Sequence, residues 1–108
     1  MKIILFQGGK PGVLHSVSVE NPLEELEELL DGPVEFLPLN DRLTLASRED
    51  GEAKQLPLHY LLHRLGREVE PVAGDCAVVA RCPVREKLRS ADEKDLEAAE
   101  CYIRRREC

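Results

Sequence analysis

Two histidines and four cysteines are the side chains of this sequence that are best suited to chemistry. His59 and His63 lie four residues apart in a segment that we expect to be helical, where both imidazoles would emerge on one face as in helical zinc sites. Tyr60 stands where a metalloprotease carries its glutamate, and no third ligand is evident. We therefore expect no metal and no cofactor, and a metal-dependent hydrolase stays an alternative.

The cysteines could supply a nucleophile, because a cysteine and a histidine form the core of some hydrolases. Cys76 and Cys82 fall on one face of a predicted strand together with apolar residues, which is typical of buried and unreactive thiols. Cys101 lies off the apolar stripe of the last predicted helix, and Cys108 is terminal. No export signal or zinc-ligand spacing accompanies these cysteines, so we expect free thiols in the cytoplasm and no catalytic residue.

A glycine-rich segment and two basic clusters raise the alternative of a nucleic-acid-binding protein. The segment at residues 8–12 (GGKPG) lacks the Gly-Lys-Ser/Thr ending of a phosphate loop, so we expect a hairpin loop. The three arginines at residues 104–106, called the arginine triplet below, are explained by the dipole of the preceding helix and by a Glu100–Arg104 pair. The other cluster consists of Arg81, Arg85, Lys87 and Arg89. Because the net charge is -6 and aromatic platforms are few, we expect no nucleic-acid partner.

The net negative charge comes from one short stretch of the chain. Residues 20–31 (ENPLEELEELLD) hold six of the 21 acidic residues and no lysine or arginine, so the rest of the chain is neutral. In a helix the leucines would share one face and the carboxylates would cover the other. Glu28 and Asp31 would oppose the helix dipole, so local stability does not explain them. The alternatives are a solvated helix face and a docking surface for a basic protein partner. The predicted partner-binding residues are Glu24, Glu25, Glu27, Glu28 and Asp31.

Strands and helices that would position these residues can be read from the apolar patterns and turn signals. A hairpin is predicted from strands at residues 2–6 and 13–19. Asn21 and Pro22 then begin a helix in which Glu24 completes a capping box. Further strands are predicted at residues 34–38, 42–47, 52–56, 69–72 and 75–82.

Two more helices complete the predicted fold. Leucines that recur at i, i+3, i+4 and i+7 predict a short helix over residues 57–65. Ser90 and Glu93 form a capping box for a last helix over residues 91–105. The sequence therefore predicts a single α+β domain over residues 1–108, with a mainly antiparallel sheet of five or six strands, two main helices and one short helix.

Short segments along nearly the whole chain carry a resemblance through their order and spacing. They are GKP at residues 9–11, LEEL at 23–26 with Gly32, VEFLPL at 34–39 with Asp41, DGE at 50–52, LP at 56–57, AG at 73–74 and DEKDL at 92–96. In this order they resemble the family called domain of unknown function 3846, which is found on phages, plasmids and conjugative elements of mostly Gram-positive bacteria. The resemblance implies an α+β domain in a mobile-element context, and it brings no activity and no catalytic residues.

The expected function is therefore that of a non-enzymatic accessory protein of a phage or mobile element, which docks a basic partner through its acidic helix face. One alternative is a DNA-mimicking antagonist of a host defence enzyme, although the acidic stretch is short for a mimic. The first apolar run ends at Gln7 and is too short to span a membrane, so we expect no membrane partner and a cytoplasmic location.

Overall fold

The computed structural model describes residues 1–82, 84 and 87–106, which form an α+β fold with two sheets and two helices. In chain order the elements are β1 (Lys2–Phe6), β2 (Val13–Ser16), α1 (Pro22–Leu29), β3 (Val34–Pro38), β4 (Leu43–Arg48), β5 (Tyr60–Leu62), β6 (Glu70–Val72), β7 (Cys76–Cys82), β8 (Lys87–Arg89), α2 (Glu93–Tyr102) and β9 (Ile103–Arg105). The predicted α+β class, with a mainly antiparallel sheet and two main helices, is confirmed.

The main sheet has six antiparallel strands in the order β2-β1-β7-β4-β3, and β8 pairs with the end of β7. Strand β7 lies at the centre because its side chains are apolar on both faces, as a strand covered on both sides requires. Within it, Val78 pairs with Ile4 on one side and with Leu45 on the other. The predicted strand at residues 75–82 is therefore the central strand of the sheet.

Each face of the main sheet is covered by a different layer. Helix α1 covers one face, where Leu26 and Leu30 pack with Ile3 and Val79. The second sheet and α2 cover the other face, and their buried side chains pack with alternate residues of the same strands. That second cluster includes Ile4, Phe6, Leu45, Val78, Tyr60, Leu62, Ala99 and Ile103. The acidic helix and the arginine triplet, which begins in β9, thus lie on opposite sides of the main sheet.

The second sheet has three strands in the order β6-β5-β9. Tyr60 from β5 is fully buried and meets Phe6 of the main sheet edge to face, with 5.6 Å between the ring centroids. Its hydroxyl donates a hydrogen bond of 2.7 Å to the carbonyl oxygen of Lys10. One aromatic side chain therefore joins the second sheet both to β1 and to the loop between β1 and β2.

The predicted short helix over residues 57–65 is wrong, because this segment contains strand β5. Tyr60 and Leu62 are buried while Leu61 between them is partly exposed, which is the two-residue period of a strand. Leu65, assigned to the apolar stripe of that helix, is fully exposed in the hairpin that leads to β6. Leucines at helical spacing also fit a strand flanked by loops, and here the pairing with β6 and β9 decides between the two.

The predicted strand over residues 52–56 is also wrong, because the chain forms a compact turn there. The amide of Lys54 donates to the carbonyl of Asp50, and the amide of Leu56 donates to that of Gly51. The side chain of Asp50 accepts from both Arg48 and Lys54. These contacts fold the segment onto the end of β4, so it does not extend the meander.

Helix α1 begins at Pro22 after Asn21, as predicted, but the N-terminal caps of both helices differ from the predictions. Asn21 makes no side-chain capping bond, so the capping box with Glu24 is wrong. Helix α2 is capped by Asp92 and Asp95, which satisfy each other's backbone amides at 2.9 Å, and not by Ser90 and Glu93. It ends at Tyr102, three residues earlier than predicted. Neither of these helices, within the described part of the chain, is long and apolar enough to cross a membrane.

Candidate functional site

Apolar contacts hold the inner face of the acidic helix α1 against the main sheet. A buried arginine holds the C-terminal end of the helix. Leu26 and Leu30 are almost fully buried against the main sheet. Arg48, which is 7% exposed, donates from Nη1 to the carbonyl oxygen of Leu30 at 3.0 Å and pairs with Asp50 at 2.8 Å. A cation at this position satisfies an end carbonyl and complements the negative end of the helix dipole.

Close packing around Arg48 also explains the glycine that follows the helix. A Cβ atom added at Gly32 would come within 2.5 Å of the Arg48 guanidinium carbon, so a side chain there would displace the guanidinium from its contacts. The pKa of Asp50 lies below its usual value, because hydrogen bonds from Arg48 and Lys54 outweigh the opposing effect of lost hydration. Arg48 therefore connects the turn at residues 50–55 to the end of α1.

Asp31 occupies an unusual backbone position at the end of α1. Its amide donates to the carbonyl of Glu28 at 3.2 Å, and the amide of Gly32 donates to that of Glu27 at 2.9 Å, which is a Schellman motif. In this motif Asp31 adopts a left-handed conformation with φ of 60°, where glycine or asparagine is usual. Its carboxylate also lies at the negative end of the helix dipole. Local stability therefore disfavours aspartate at this position.

The predicted partner-binding residues form a continuous outer surface on α1, called the acidic face below. Glu24, Glu28 and Asp31 are exposed, while Glu25 and Glu27 are half-buried. The ion pairs among the described residues are Arg48–Asp50, Lys54–Asp50, Arg64–Glu70 and Arg89–Asp95, so none neutralises the acidic face.

An apolar margin adjoins the acidic face at the start of the helix. Leu23, predicted to belong to the buried stripe, is 50% exposed. Val19, four residues earlier, is 73% exposed. The prediction for Leu23 is therefore wrong, because Leu26 and Leu30 belong to the buried cluster on this face of the sheet and Leu23 does not. The surface near the helix N-terminus thus offers apolar contacts beside carboxylates.

The two histidines do not form the pair that helical spacing predicted. His59 precedes β5 and His63 follows it, so they lie four residues apart along an extended chain, or about 13 Å at a rise of 3.3 Å per residue. His59 is exposed and His63 is half-buried. Within the described residues, no group of three or more potential ligands could hold a metal ion.

The cysteines lie largely as predicted on the strand and helix faces. Cys76 is fully buried, and burial together with the neighbouring Asp75 raises the pKa of its thiol to about 12. Cys82 shares its face but is only half-buried at the end of β7, so its predicted burial is incomplete. Cys101 is exposed, and Cys108 lies outside the described residues. A thiol with a raised pKa is a poor nucleophile, and Cys76 is the one that sits inside the core.

One of the two basic clusters contains an arginine with a structural role. Arg89 makes two hydrogen bonds to the carboxylate of Asp95, at 2.6 and 2.8 Å, which hold β8 against the start of α2. These hydrogen bonds from Arg89 lower the pKa of Asp95, against the effect of its burial. Lys87 is exposed and Arg81 is half-buried, while Arg85 lies outside the described residues.

The arginine triplet lies outside the last turn of α2, although the sequence predicted it at the end of that helix. Helix α2 ends at Tyr102, Arg104 and Arg105 lie in β9, and Arg106 follows this strand, so the helix dipole does not explain the triplet. No ion pair between Glu100 and Arg104 occurs within the described ion pairs, so that prediction is wrong. All three arginines are exposed.

The triplet lies beside the glycine-rich loop between β1 and β2. This loop is a hairpin connection, as predicted: the amide of Lys10 donates to the carbonyl of Gln7, and Gly8 and Gly9 have φ of 57° and 77°, which is a type I′ turn. Loop and triplet together border an open groove of about 1210 Å³, which His63 and Glu100 also line. The sequence held no signal for this arrangement, because the two segments are about ninety residues apart and meet only through the pairing of β9 with β5.

Comparison with known proteins assigns a family but no activity. The family described as Domain of unknown function (DUF3846) matches residues 1–103 of the 108. No curated protein and no solved structure matches the chain.

Proposed function

The chain belongs to the family described as Domain of unknown function (DUF3846), and we propose that it is a non-enzymatic accessory protein of a phage or mobile element. It docks a basic protein through the acidic face of α1. The observation that carries this proposal is a set of five carboxylates, four on α1 and Asp31 just after it, none of which takes part in the ion pairs of the described residues.

Charge segregation supports docking over a purely solvated surface. Outside residues 20–31 the acidic and basic residues balance, so the negative potential of the protein is concentrated on one side of the main sheet. Such a field steers an oppositely charged surface during encounter and raises its association rate. It also repels nucleic acid from this side of the protein.

The end of the helix supports the same function. Asp31 occupies a left-handed position that favours glycine, and its charge opposes the helix dipole. A residue that costs stability without a compensating contact in the fold is expected where it serves binding. Asp31 extends the acidic face beyond the last turn of α1, next to the helix end that buried Arg48 binds.

The rigidity of α1 lowers the cost of binding. Because Arg48 closes the end of the helix and Leu26 and Leu30 anchor its underside, the carboxylates are held in place before a partner arrives. A preorganised surface loses less conformational entropy on association than a flexible segment. Exposed Leu23 and Val19 supply apolar area at the margin, so the expected partner surface carries lysines and arginines around a small apolar centre.

Affinity capture tests this function with a matched pair of variants. The wild-type chain is immobilised beside a double variant of the acidic face, Glu24→Lys with Glu28→Lys, and a double variant of α2, Glu93→Lys with Glu97→Lys. All four positions are exposed, and each pair combines a first-turn glutamate with one four residues later. Both double variants therefore change the net charge by the same amount.

We expect a basic protein from a bacterial host lysate to be retained by the wild type and by the α2 variant but not by the α1 variant. Retention should fall as salt is added, because exposed charges are screened. A partner that binds the α1 variant as well as the wild type would contradict the proposal.

A further inference from the structure

We propose that the groove beside the arginine triplet binds a small phosphate-bearing ligand of nucleotide size. This inference is independent of the acidic face, which lies on the other side of the main sheet. It rests on the meeting of three exposed arginines with a rigid glycine-rich loop around a volume of about 1210 Å³.

Arginines suit this ligand because a guanidinium presents several donors in a planar arrangement that matches two phosphate oxygens at once. Arg104 and Arg105 are successive residues of β9 and project to opposite sides of it, as in any strand. The amide of Arg106, just after the strand, donates to the carbonyl of His59 at 2.8 Å and continues the pairing with the β5 segment. Strand β9 is an edge of the second sheet in the described part of the chain. Its arginines are exposed, and in the described lining of the groove Glu100 is the acidic residue beside them.

The opposite wall of the groove is held rigid by close contacts. A Cβ atom at Gly12 would come within 2.8 Å of the Phe6 ring, so the loop packs directly on the core. At Gly9 an added Cβ would meet the His59 imidazole at 3.4 Å, in a backbone conformation with φ of 77°. The hydroxyl of Tyr60 holds the carbonyl of Lys10 at 2.7 Å. The wall is therefore formed before any ligand binds, and Gly9 and Gly12 line the groove on either side of Pro11.

Volume and lining favour a ligand larger than free phosphate. The groove exceeds the roughly 300–1,000 Å³ of common ligand pockets, and Leu61 and Pro11 add apolar surface between the charged positions. A nucleoside triphosphate combines the required parts, since its phosphates match the arginines and its nucleoside matches the apolar area. No exposed aromatic ring lines the groove, so the stacking platform of a single-strand-binding protein is missing from the described lining.

The net charge of -6 does not prevent anion binding at this place. Packed sheet layers lie about 10 Å apart, and the triplet and the acidic face are on opposite sides of the main sheet. Their separation exceeds the Debye length of about 8 Å at physiological salt, so the carboxylates of α1 are largely screened from the groove. Among the described lining residues, the three arginines outnumber the carboxylate of Glu100.

Isothermal titration calorimetry with ATP and with inorganic pyrophosphate at low salt tests the proposal on the full chain. We expect the wild type to bind ATP more tightly than pyrophosphate, because only ATP reaches the apolar part of the groove. The double variant Arg104→Glu with Arg106→Glu should lose at least about tenfold in affinity for ATP, as expected for the loss of charge-assisted hydrogen bonds. The control is Arg42→Glu, a single charge reversal at an exposed arginine before β4, which should change the affinity less than about twofold.

A single substitution, Arg106→Ala, keeps the test valid should the double reversal disturb β9, because residue 106 follows the strand. Its affinity for ATP should also fall. The proposal would be overturned by a wild type that does not bind ATP, or by an equal loss in Arg42→Glu. Pyrophosphate binding as tight as ATP binding would overturn the nucleotide size, and binding of a thymidine decamer without ATP binding would reassign the groove to nucleic acid.

Discussion

Arg48 donates a hydrogen bond of 3.0 Å to the carbonyl oxygen of Leu30, so a buried cation from the main sheet closes the C-terminal end of the acidic helix. The same guanidinium lies so near Gly32 that a side chain at that position would push it away from the Leu30 carbonyl. Sheet, helix end and the following turn are therefore coupled through one residue. This coupling fixes where the acidic face points, and it makes Arg48 the most sensitive position in the support of α1.

Replacing Arg48 with alanine should lower the free energy of unfolding by about 2–4 kcal/mol, because it leaves the Leu30 carbonyl buried without a donor and removes the partner of Asp50. Urea unfolding followed by circular dichroism measures the change. Arg42→Ala, at an exposed arginine six residues earlier, should stay within about 0.5 kcal/mol of the wild type. Equal effects of the two substitutions would show that the Arg48 contacts do not support the fold.

Asp31→Gly should stabilise the protein by about 1 kcal/mol, because glycine adopts φ of 60° without strain and removes a carboxylate from the negative end of the helix. Asp31→Asn separates the two effects, since it removes the charge but keeps a side chain. Both substitutions should weaken binding of a basic partner while they raise the unfolding midpoint. A lower midpoint in Asp31→Gly would show that the carboxylate makes a stabilising contact.

The acid stability of the protein should depend on Asp95. Its pKa in the folded state is lowered, first by the hydrogen bonds from Arg89, so its contribution is fully present above the unfolded-state pKa of about 3.9 and is lost as the pH falls through the folded value. Asp95→Asn should therefore lose less of its unfolding free energy than the wild type does when the pH falls from about 5 to about 2. Thermal unfolding across this range measures the difference, with Glu97→Gln as an exposed control on the same helix. Identical pH profiles of Asp95→Asn and the wild type would contradict the assignment.

Thiol labelling should rank the cysteines by their burial. In a Cys108→Ser background, Cys101 should react with a thiol reagent first, Cys82 more slowly and Cys76 only on unfolding, because Cys76 is fully buried and its thiol has a pKa raised to about 12. Mass spectrometry of peptides after short exposures resolves the order. Rapid labelling of Cys76 in the folded protein would disagree with its place at the centre of the main sheet.

Elements with a strong local pattern could be predicted from the sequence. The apolar runs of β1 and β7 predicted buried strands, because a strand covered on both faces needs no alternation. Asn21, Pro22 and the leucines that follow predicted α1 to within about two residues. These features depend on residues that are neighbours in the chain.

What could not be predicted depends on pairing between distant segments. Strand β5 has only three residues, and its leucines also fit a helix, so its register with β9, some forty residues later, decides its conformation. Because of the same pairing, the arginine triplet lines a groove beside Gly9 and Gly12, whereas the sequence predicted it at the end of a helix. The acidic face was visible in the sequence because its residues lie within one helix, whereas the groove was not.

The central claim is that the acidic face docks a basic partner, and the association rate constant tests it most directly. With a captured partner on a biosensor surface, the rate constant of the wild type should fall as salt is added, since encounter is steered by opposite charge. The Glu24→Lys, Glu28→Lys variant should associate more slowly than the wild type at low salt, and the two should converge at high salt. The Glu93→Lys, Glu97→Lys control on α2 should keep a rate constant close to that of the wild type. An unchanged rate constant for the α1 variant at low salt, or an equal loss in the α2 control, would contradict the claim.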